Sequence, residues 1–228
     1  MSTPLRLIIF DVDGTLIDSQ HHIISAMTAA CAAVEIAPPS HEAVLSIVGL
    51  SLPQAVSRLM PQASSAHREH MVEAYKSAFM QQREELGAEA ASPFYPGAVD
   101  ALNALRQVDD YLLGVATGKS RRGLDSILNG HGISDMFLTK QVADDHPSKP
   151  NPSMIFRALE ETGVAAENAI MIGDTSYDMD MARAAGVGRV GVNWGYHSQD
   201  DLVKSGAEVI LHSYEELIPY IDKIWSAK

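Results

Sequence analysis

The sequence predicts an α/β fold, a parallel sheet with right-handed crossovers, interrupted once by an all-helical segment. Three observations carry this. Short apolar runs without polar alternation, at residues 5–10, 111–116, 169–172 and 187–192, suit strands buried on both faces. Helical patterns separate the later runs, as parallel strands require. Residues 19–90 carry helical periodicity and no convincing strand. The expected organisation is a core of residues 1–17 and 91–228, with residues 18–90 set into it as a helical unit.

The elements follow in order. Asp18-Ser19 offers an N-cap for a helix from Gln20 to Glu35, with Ile23, Ile24, Met27, Ala30, Cys31 and Val34 at helical spacing. Pro38-Pro39 ends it. Helical stretches are expected over Glu42–Val48, Pro53–Met60 and about Ser65–Glu85. After Pro96-Gly97, a helix spans Ala98–Arg106, and the strand from Tyr111 ends in Thr117-Gly118-Lys119. A helix from Ser120 to about Asn129 is closed by Gly130 or Gly132. Phe137-Leu138-Thr139 reads as a short strand. Prolines at 147, 150 and 152 make residues 144–150 a loop. Asn151 as cap and Pro152 as first helical residue start a helix ending at Gly163. The strand 169–172 ends in Gly173-Asp174, and a helix runs from about Thr175 to Ala185, stopped by Gly186. Glu208–Leu211 is the last strand.

The 228 residues allow one large domain or two small ones. A formal charge of −12 argues against nucleic acid and anionic membranes as partners, and an anionic substrate would need local positive charge or a metal. Cys31, the single cysteine, lies in an apolar helical pattern, which suits packing and a reducing compartment. No signal-peptide pattern or membrane-length apolar run is present, so a cytoplasmic location is expected. Nothing in the sequence bears on oligomeric state.

The first strand ends in Asp11-Val12-Asp13-Gly14-Thr15, where open α/β sheets place their ligands. Two carboxylates this close repel unless a cation or shared proton compensates, and Mg2+, a hard ion preferring oxygen, is the natural candidate. Thr117, Lys149 and Asp174 fall on what should be the same sheet edge. Asp174 and Asp178, four residues apart at a helix start, can face one point; either alone would be ordinary complement to the helix dipole. Asp11, Asp13, Thr117, Lys149 and Asp174 together form a phosphoryl-transfer set. Asp11 is the candidate nucleophile and Asp13 the candidate acid and base. Lys149 and Mg2+ would neutralise charge, and the Thr117 hydroxyl and Gly118 N–H would hold phosphate oxygens.

These four stretches, in this order, resemble the motifs of the haloacid dehalogenase-like superfamily: Asp11-Val12-Asp13-Gly14-Thr15, the strand ending in Thr117, Lys149-Pro150, and Gly173-Asp174 with Asp178. The resemblance covers the whole chain. It implies a Rossmannoid, doubly wound core, with Mg2+ held by the Asp11 and Asp174 carboxylates and the Asp13 backbone carbonyl, and Asp178 in a supporting place. It also implies that the helical insertion is a small cap of the first subclass, closing over the substrate and hinged near Ile17 to Ser19. Gly49-Leu50-Ser51-Leu52 in the cap and Trp194-Gly195-Tyr196 in the core are similar to phosphoglycolate phosphatases. The expected activity is Mg2+-dependent hydrolysis of a small phosphate ester, phosphoglycolate-like, with Ser51 in the loop that reaches the site. True dehalogenases lack the second aspartate, and Lys76, the one lysine within residues 19–90, shows no sign of a Schiff-base role.

Two further readings stay open: a phosphomutase of the β-phosphoglucomutase type, and a signalling phosphoacceptor like receiver domains. The latter place the phosphorylated Asp after a later strand. Gly114-Val-Ala-Thr-Gly118-Lys119-Ser120 is one residue short of a P-loop, and Gly186-Val-Gly188-Arg-Val-Gly191 follows a helix and enters a strand, the reverse of a dinucleotide site. His67 and His70 read as exposed side chains of a polar helix. Lys119, Arg121 and Arg122 read as a solvated helix start, near enough to Thr117 to reach a substrate.

Overall fold

The first strand is buried on both faces because its side chains alternate between two hydrophobic layers. The computed structural model describes residues 4–87 and 92–226. In it β1 (Arg6–Phe10) lies inside a six-stranded parallel sheet with β2 (Tyr111–Thr117), β3 (Thr139–Val142), β4 (Ala169–Gly173), β5 (Gly188–Val192) and β6 (Val209–Leu211), in the order β3-β2-β1-β4-β5-β6. Ile8 and Phe10 join the layer built by α5 (Ala98–Arg106), α6 (Arg121–Gly130) and α10 (Leu217–Ser226). Leu7 and Ile9 join the opposite layer, built by α7 (Ser153–Thr162) and α8 (Ser176–Ala185). A short α9 (Gln199–Lys204) precedes β6. This is a doubly wound α/β sheet. The strand order reverses at β1, so a crevice opens beyond the ends of β1 and its neighbours.

Residues 20–86 form α1 (Gln20–Ala33), α2 (His41–Leu45), α3 (Leu52–Leu59) and α4 (Ser65–Leu86). They pack around a hydrophobic cluster of their own that includes Met27, Cys31, Val44, Val56 and Met71. The chain leaves and re-enters the sheet layer through two segments bonded to each other. Ile17 bridges antiparallel to Phe94, the Asp18 N–H donates to the Pro93 carbonyl at 2.8 Å, and the Tyr95 N–H donates to the Leu16 carbonyl at 3.0 Å. The boundary expected between residues 90 and 91 lies outside the described residues.

Local expectations needed correction at several points. The third strand is Thr139–Val142, not Phe137–Thr139: Leu138 is 62% exposed, and the paired strand buries polar Thr139 and Gln141, both bonded to Glu161. Apolar content pointed to the wrong residues because this strand's polar groups find partners inside the protein. Helix α7 begins one residue later than expected, at Ser153, with Asn151 Oδ1 accepting its N–H. Ser19 occupies the N-cap position of α1 but makes no capping bond; its hydroxyl is engaged elsewhere. Helices α9 and α10 went unforeseen. Phe10 is fully buried between β1 and the α5–α6 layer, so Phe10→Ala should cost about 3–5 kcal/mol of stability, measured by denaturant unfolding; a loss below about 1 kcal/mol would contradict this packing.

Candidate active site

Three adjacent strands deliver the site. Asp11 follows β1, Asp174 follows β4, and Thr117 is the last residue of β2, so the topology alone brings them to one edge. The Asp11 N–H donates to the Ile172 carbonyl at 2.9 Å, tying it to β4. Lys149 comes from the irregular loop after β3 and is fully buried, with Nζ 2.6 Å from Asp178 Oδ1 and 3.0 Å from Asp11 Oδ1. Asp178 closes a capping box at the start of α8, where Oδ2 accepts from the Thr175 N–H at 3.1 Å and hydroxyl at 2.7 Å. A helix cap therefore also positions the lysine.

Asp174 accepts from the Thr15 hydroxyl and from the Tyr196 N–H, both at 2.9 Å. Gly14, at φ +82°, and Gly195 lie so close to this carboxylate that a Cβ at either would strike it. Asp11 differs: both of its oxygens are buried, and neither receives a well-directed hydrogen bond from the described residues.

Charge explains what these groups do. Asp11, Asp174 and Asp178 each offer a carboxylate oxygen, all within 4.8 Å of one another. Burial pushes Asp11 up to about 7; Lys149 opposes this, while Asp178 and Asp13 add to it. Burial raises Asp174 as well, with Asp178 and Asp11 pushing the same way. Burial disfavours the Lys149 ammonium, but the Asp11 and Asp178 carboxylates outweigh it and the pKa rises. One ammonium, paired with Asp11 and Asp178, among three buried carboxylates leaves negative charge uncompensated, and Asp11 Oδ2 has no partner among the described residues. This donor set fits a hard divalent cation such as Mg2+, which takes one or two protein carboxylates and keeps positions for phosphate and water.

Asp13 has separate partners. Its Oδ1 accepts from Lys119 Nζ at 2.7 Å and from the Ser19 hydroxyl, and Ser19 Oγ lies 3.1 Å from the Tyr196 hydroxyl. The Lys119–Asp13 pair is about one-tenth exposed. The sequence alone makes Lys119 a charged helix start within substrate reach, and its place two residues after Thr117 is the signal that directs it to Asp13. Ser19 was hidden by its N-cap position.

Thr117 is buried, and its Oγ1 accepts the Lys119 N–H at 3.2 Å. Beside it, a Cβ on Gly118 would lie 2.6 Å from the carbonyl oxygens of Gly49 and Leu50, so the loop from the helical block rests directly on this turn. The Ser51 N–H donates to Ser148 Oγ at 2.8 Å, joining that loop to the one carrying Lys149. A cavity of about 400 Å³ includes Asp11, Asp13, Ser51, Thr117, Gly118 and Lys119 in its lining. His67 bonds to Ser64, the N-cap of α4, and takes no part here.

The sequence profile described as haloacid dehalogenase-like hydrolase matches residues 8–192. The chain belongs to that family. A Dickeya dadantii relative named Probable phosphatase IndB is 33% identical over 215 residues, spanning 93% of this chain and 91% of that protein. A phosphoglycolate phosphatase of Vibrio parahaemolyticus is 28% identical, spanning 95% and 96%. A haloacid dehalogenase-like family hydrolase from Streptococcus pneumoniae superposes with a TM-score of 0.82 at 26% identity, covering 95% of this chain and 98% of its own.

The carboxylate cluster of this haloacid dehalogenase-like hydrolase makes its metal-free stability depend on pH. Asp11 ionises near 4 in the unfolded chain and near 7 in the folded one. The folded state thus holds a proton that the unfolded state has lost. This contribution is complete below about pH 4 and disappears as pH rises through about 7. A divalent cation held by these carboxylates would compete with that proton, so millimolar Mg2+ should raise the melting temperature more at pH 8 than at pH 5. An equal rise at both pH values would show that the cation does not bind this cluster.

Proposed function

We propose that this hydrolase is a Mg2+-dependent phosphatase of a small phosphorylated metabolite, working through an aspartyl phosphate on Asp11. The observation carrying the reading is a buried nucleophile candidate that faces the Lys149 ammonium at 3.0 Å but accepts no directed hydrogen bond from the described residues, while the Asp174 and Asp178 carboxylates are each held by hydrogen-bond donors. Asp11 would attack phosphorus, and the ester oxygen would leave with a proton from Asp13. Asp13 would then take a proton from water as that water attacks the phosphoenzyme, freeing inorganic phosphate and Asp11. Lys149 would balance charge at Asp11, and Thr117 and the Gly118 N–H would orient phosphate oxygens. The Asp11 and Asp174 carboxylates, with the Asp13 backbone carbonyl, would hold Mg2+; Asp178 would support them by orienting Lys149. When bound, the ion supplies positive charge against the phosphoryl oxygens.

Separate bonding suits Asp13 to its task, since Lys119 and Ser19 hold its carboxylate apart from the Asp11–Lys149 pair. We read residues 18–90 as a cap pivoting on the bonded Ile17–Phe94 segments, with Ser51 at the substrate. The relatives named as phosphatases support ester hydrolysis, and the one named for phosphoglycolate makes 2-phosphoglycolate the first ester to assay.

With para-nitrophenyl phosphate, whose leaving group needs no acid, Asp13→Asn should accumulate phosphate-labelled enzyme and turn over at least ~100-fold more slowly. Asp11→Asn should show neither label nor turnover, measured by acid-quench labelling and phosphate release. Retained turnover in Asp11→Asn would remove the nucleophile assignment.

A further inference from the structure

The cavity over Asp11 is larger and less polar than a two-carbon phosphoacid requires. At about 400 Å³, it has room for roughly a dozen waters at ~30 Å³ each. Its floor holds Asp11, Asp13 and Thr117, while α3 and α4 contribute Leu52, Tyr75, Phe79 and Met80 to its walls. These four side chains are only half-buried, so apolar surface faces the space beside the nucleophile. Tyr75 and Phe79 stack with centroids 5.9 Å apart at 25°, forming an aromatic ledge. Lys119 Nζ sits 5.2 Å from the Phe79 ring centroid while pairing with Asp13, so the ledge is continuous with the reacting groups.

Two further cations line the same cavity from different elements: Arg83 on α4 and Arg122 on α6. Other charged groups of the lining have partners: Lys76 pairs with Glu73, Lys119 with Asp13, and Asp144 accepts the Arg121 N–H. Arg83 and Arg122 make no side-chain hydrogen bond or ion pair with any described residue. Burial, and then the Arg122 charge, push the Arg83 guanidinium below its usual pKa. In a chain of net charge −12, two guanidiniums that line one cavity and have no ion-pair partner among the described residues leave a place for a ligand anion.

We infer that the natural ester has a leaving group with an apolar or aromatic body, seated on Tyr75, Phe79 and Met80, and a negatively charged far end held by Arg83 and Arg122. This rests on the phosphatase reading, which supplies the phosphoryl end at Asp11. A short acid would leave the ledge wet, and an uncharged body would leave the arginines unpaired. An ester with both features covers apolar surface and meets the cations at once.

Four esters separate the two features. Ethyl phosphate has neither, 2-phosphoglycolate has the charge, benzyl phosphate has the body, and para-carboxybenzyl phosphate has both. All four leaving groups are alkyl alcohols. The para-carboxybenzyl ester should have the highest kcat/KM, exceeding 2-phosphoglycolate roughly ten-fold or more. Arg83→Gln combined with Arg122→Gln should bring the ratio of para-carboxybenzyl to benzyl phosphate toward one. Phe79→Ala should likewise shrink the ratio of benzyl to ethyl phosphate. Turnover of 2-phosphoglycolate equal to or above that of the para-carboxybenzyl ester would overturn the inference, and so would a ratio that survives loss of both arginines. If wild-type protein hydrolyses none of the four, the phosphatase reading itself falls and takes this inference with it.

Discussion

Three carboxylates and one ammonium are held in a space that water does not screen, and much of the architecture around them answers that imbalance. Burying one unpaired charge costs several kcal/mol even after relaxation, so each acidic group needs a donor, a proton or a cation. Asp178 takes Lys149 and the Thr175 pair, and Asp174 takes Thr15 and the Tyr196 N–H. Asp11 shares the Lys149 ammonium at 3.0 Å and takes no directed hydrogen bond from the described residues. The sheet order supplies the proximity, because β1 and β4 are neighbours and each is followed directly by an aspartate. The glycines at 14 and 195 supply the space, since a side chain at either would collide with Asp174.

The sheet and the core of the site were legible in the sequence for a physical reason. Parallel strands buried on both faces must be apolar throughout, so β1, β2, β4 and β5 stand out, and polar residues at their ends are conspicuous by contrast. β3 was misplaced because it satisfies buried Thr139 and Gln141 through Glu161, and no local pattern announces a partner about twenty residues away. Lys119 and Ser19 were obscured for a related reason. Each sits where a helix start explains it locally, and only the tertiary fold directs both side chains to Asp13. Ser19 makes no capping bond although it occupies the N-cap position; its hydroxyl instead donates to the buried Asp13 carboxylate, a charge-assisted bond.

The helical block contributes most of the cavity's apolar wall and little of its chemistry. Its links to the sheet layer include a loop resting on Gly118, a bond from Ser51 to Ser148, one from the Tyr177 hydroxyl to the Ser46 carbonyl, and the Phe79 ring beside Lys119. The last joins two jobs in one side chain, because Lys119 touches both Asp13 and the aromatic ledge. A change in how the ledge is covered is therefore felt electrostatically at the Asp13 carboxylate.

The bonded pair Ile17–Phe94 also bears on how the chain folds. β1 and β2 are neighbours in the sheet yet are separated in sequence by the whole helical block. Closing so long a loop has an entropic cost that grows with the logarithm of its length. A helical block that packs around its own cluster and holds its two ends together leaves only the turn from Phe10 to Ile17 and the α5 segment from Phe94 to Tyr111 to be closed. The insertion then acts as a clasp, and the oldest difficulty of a parallel sheet, joining strands far apart in sequence, is handled by local contacts at the two ends of the insertion.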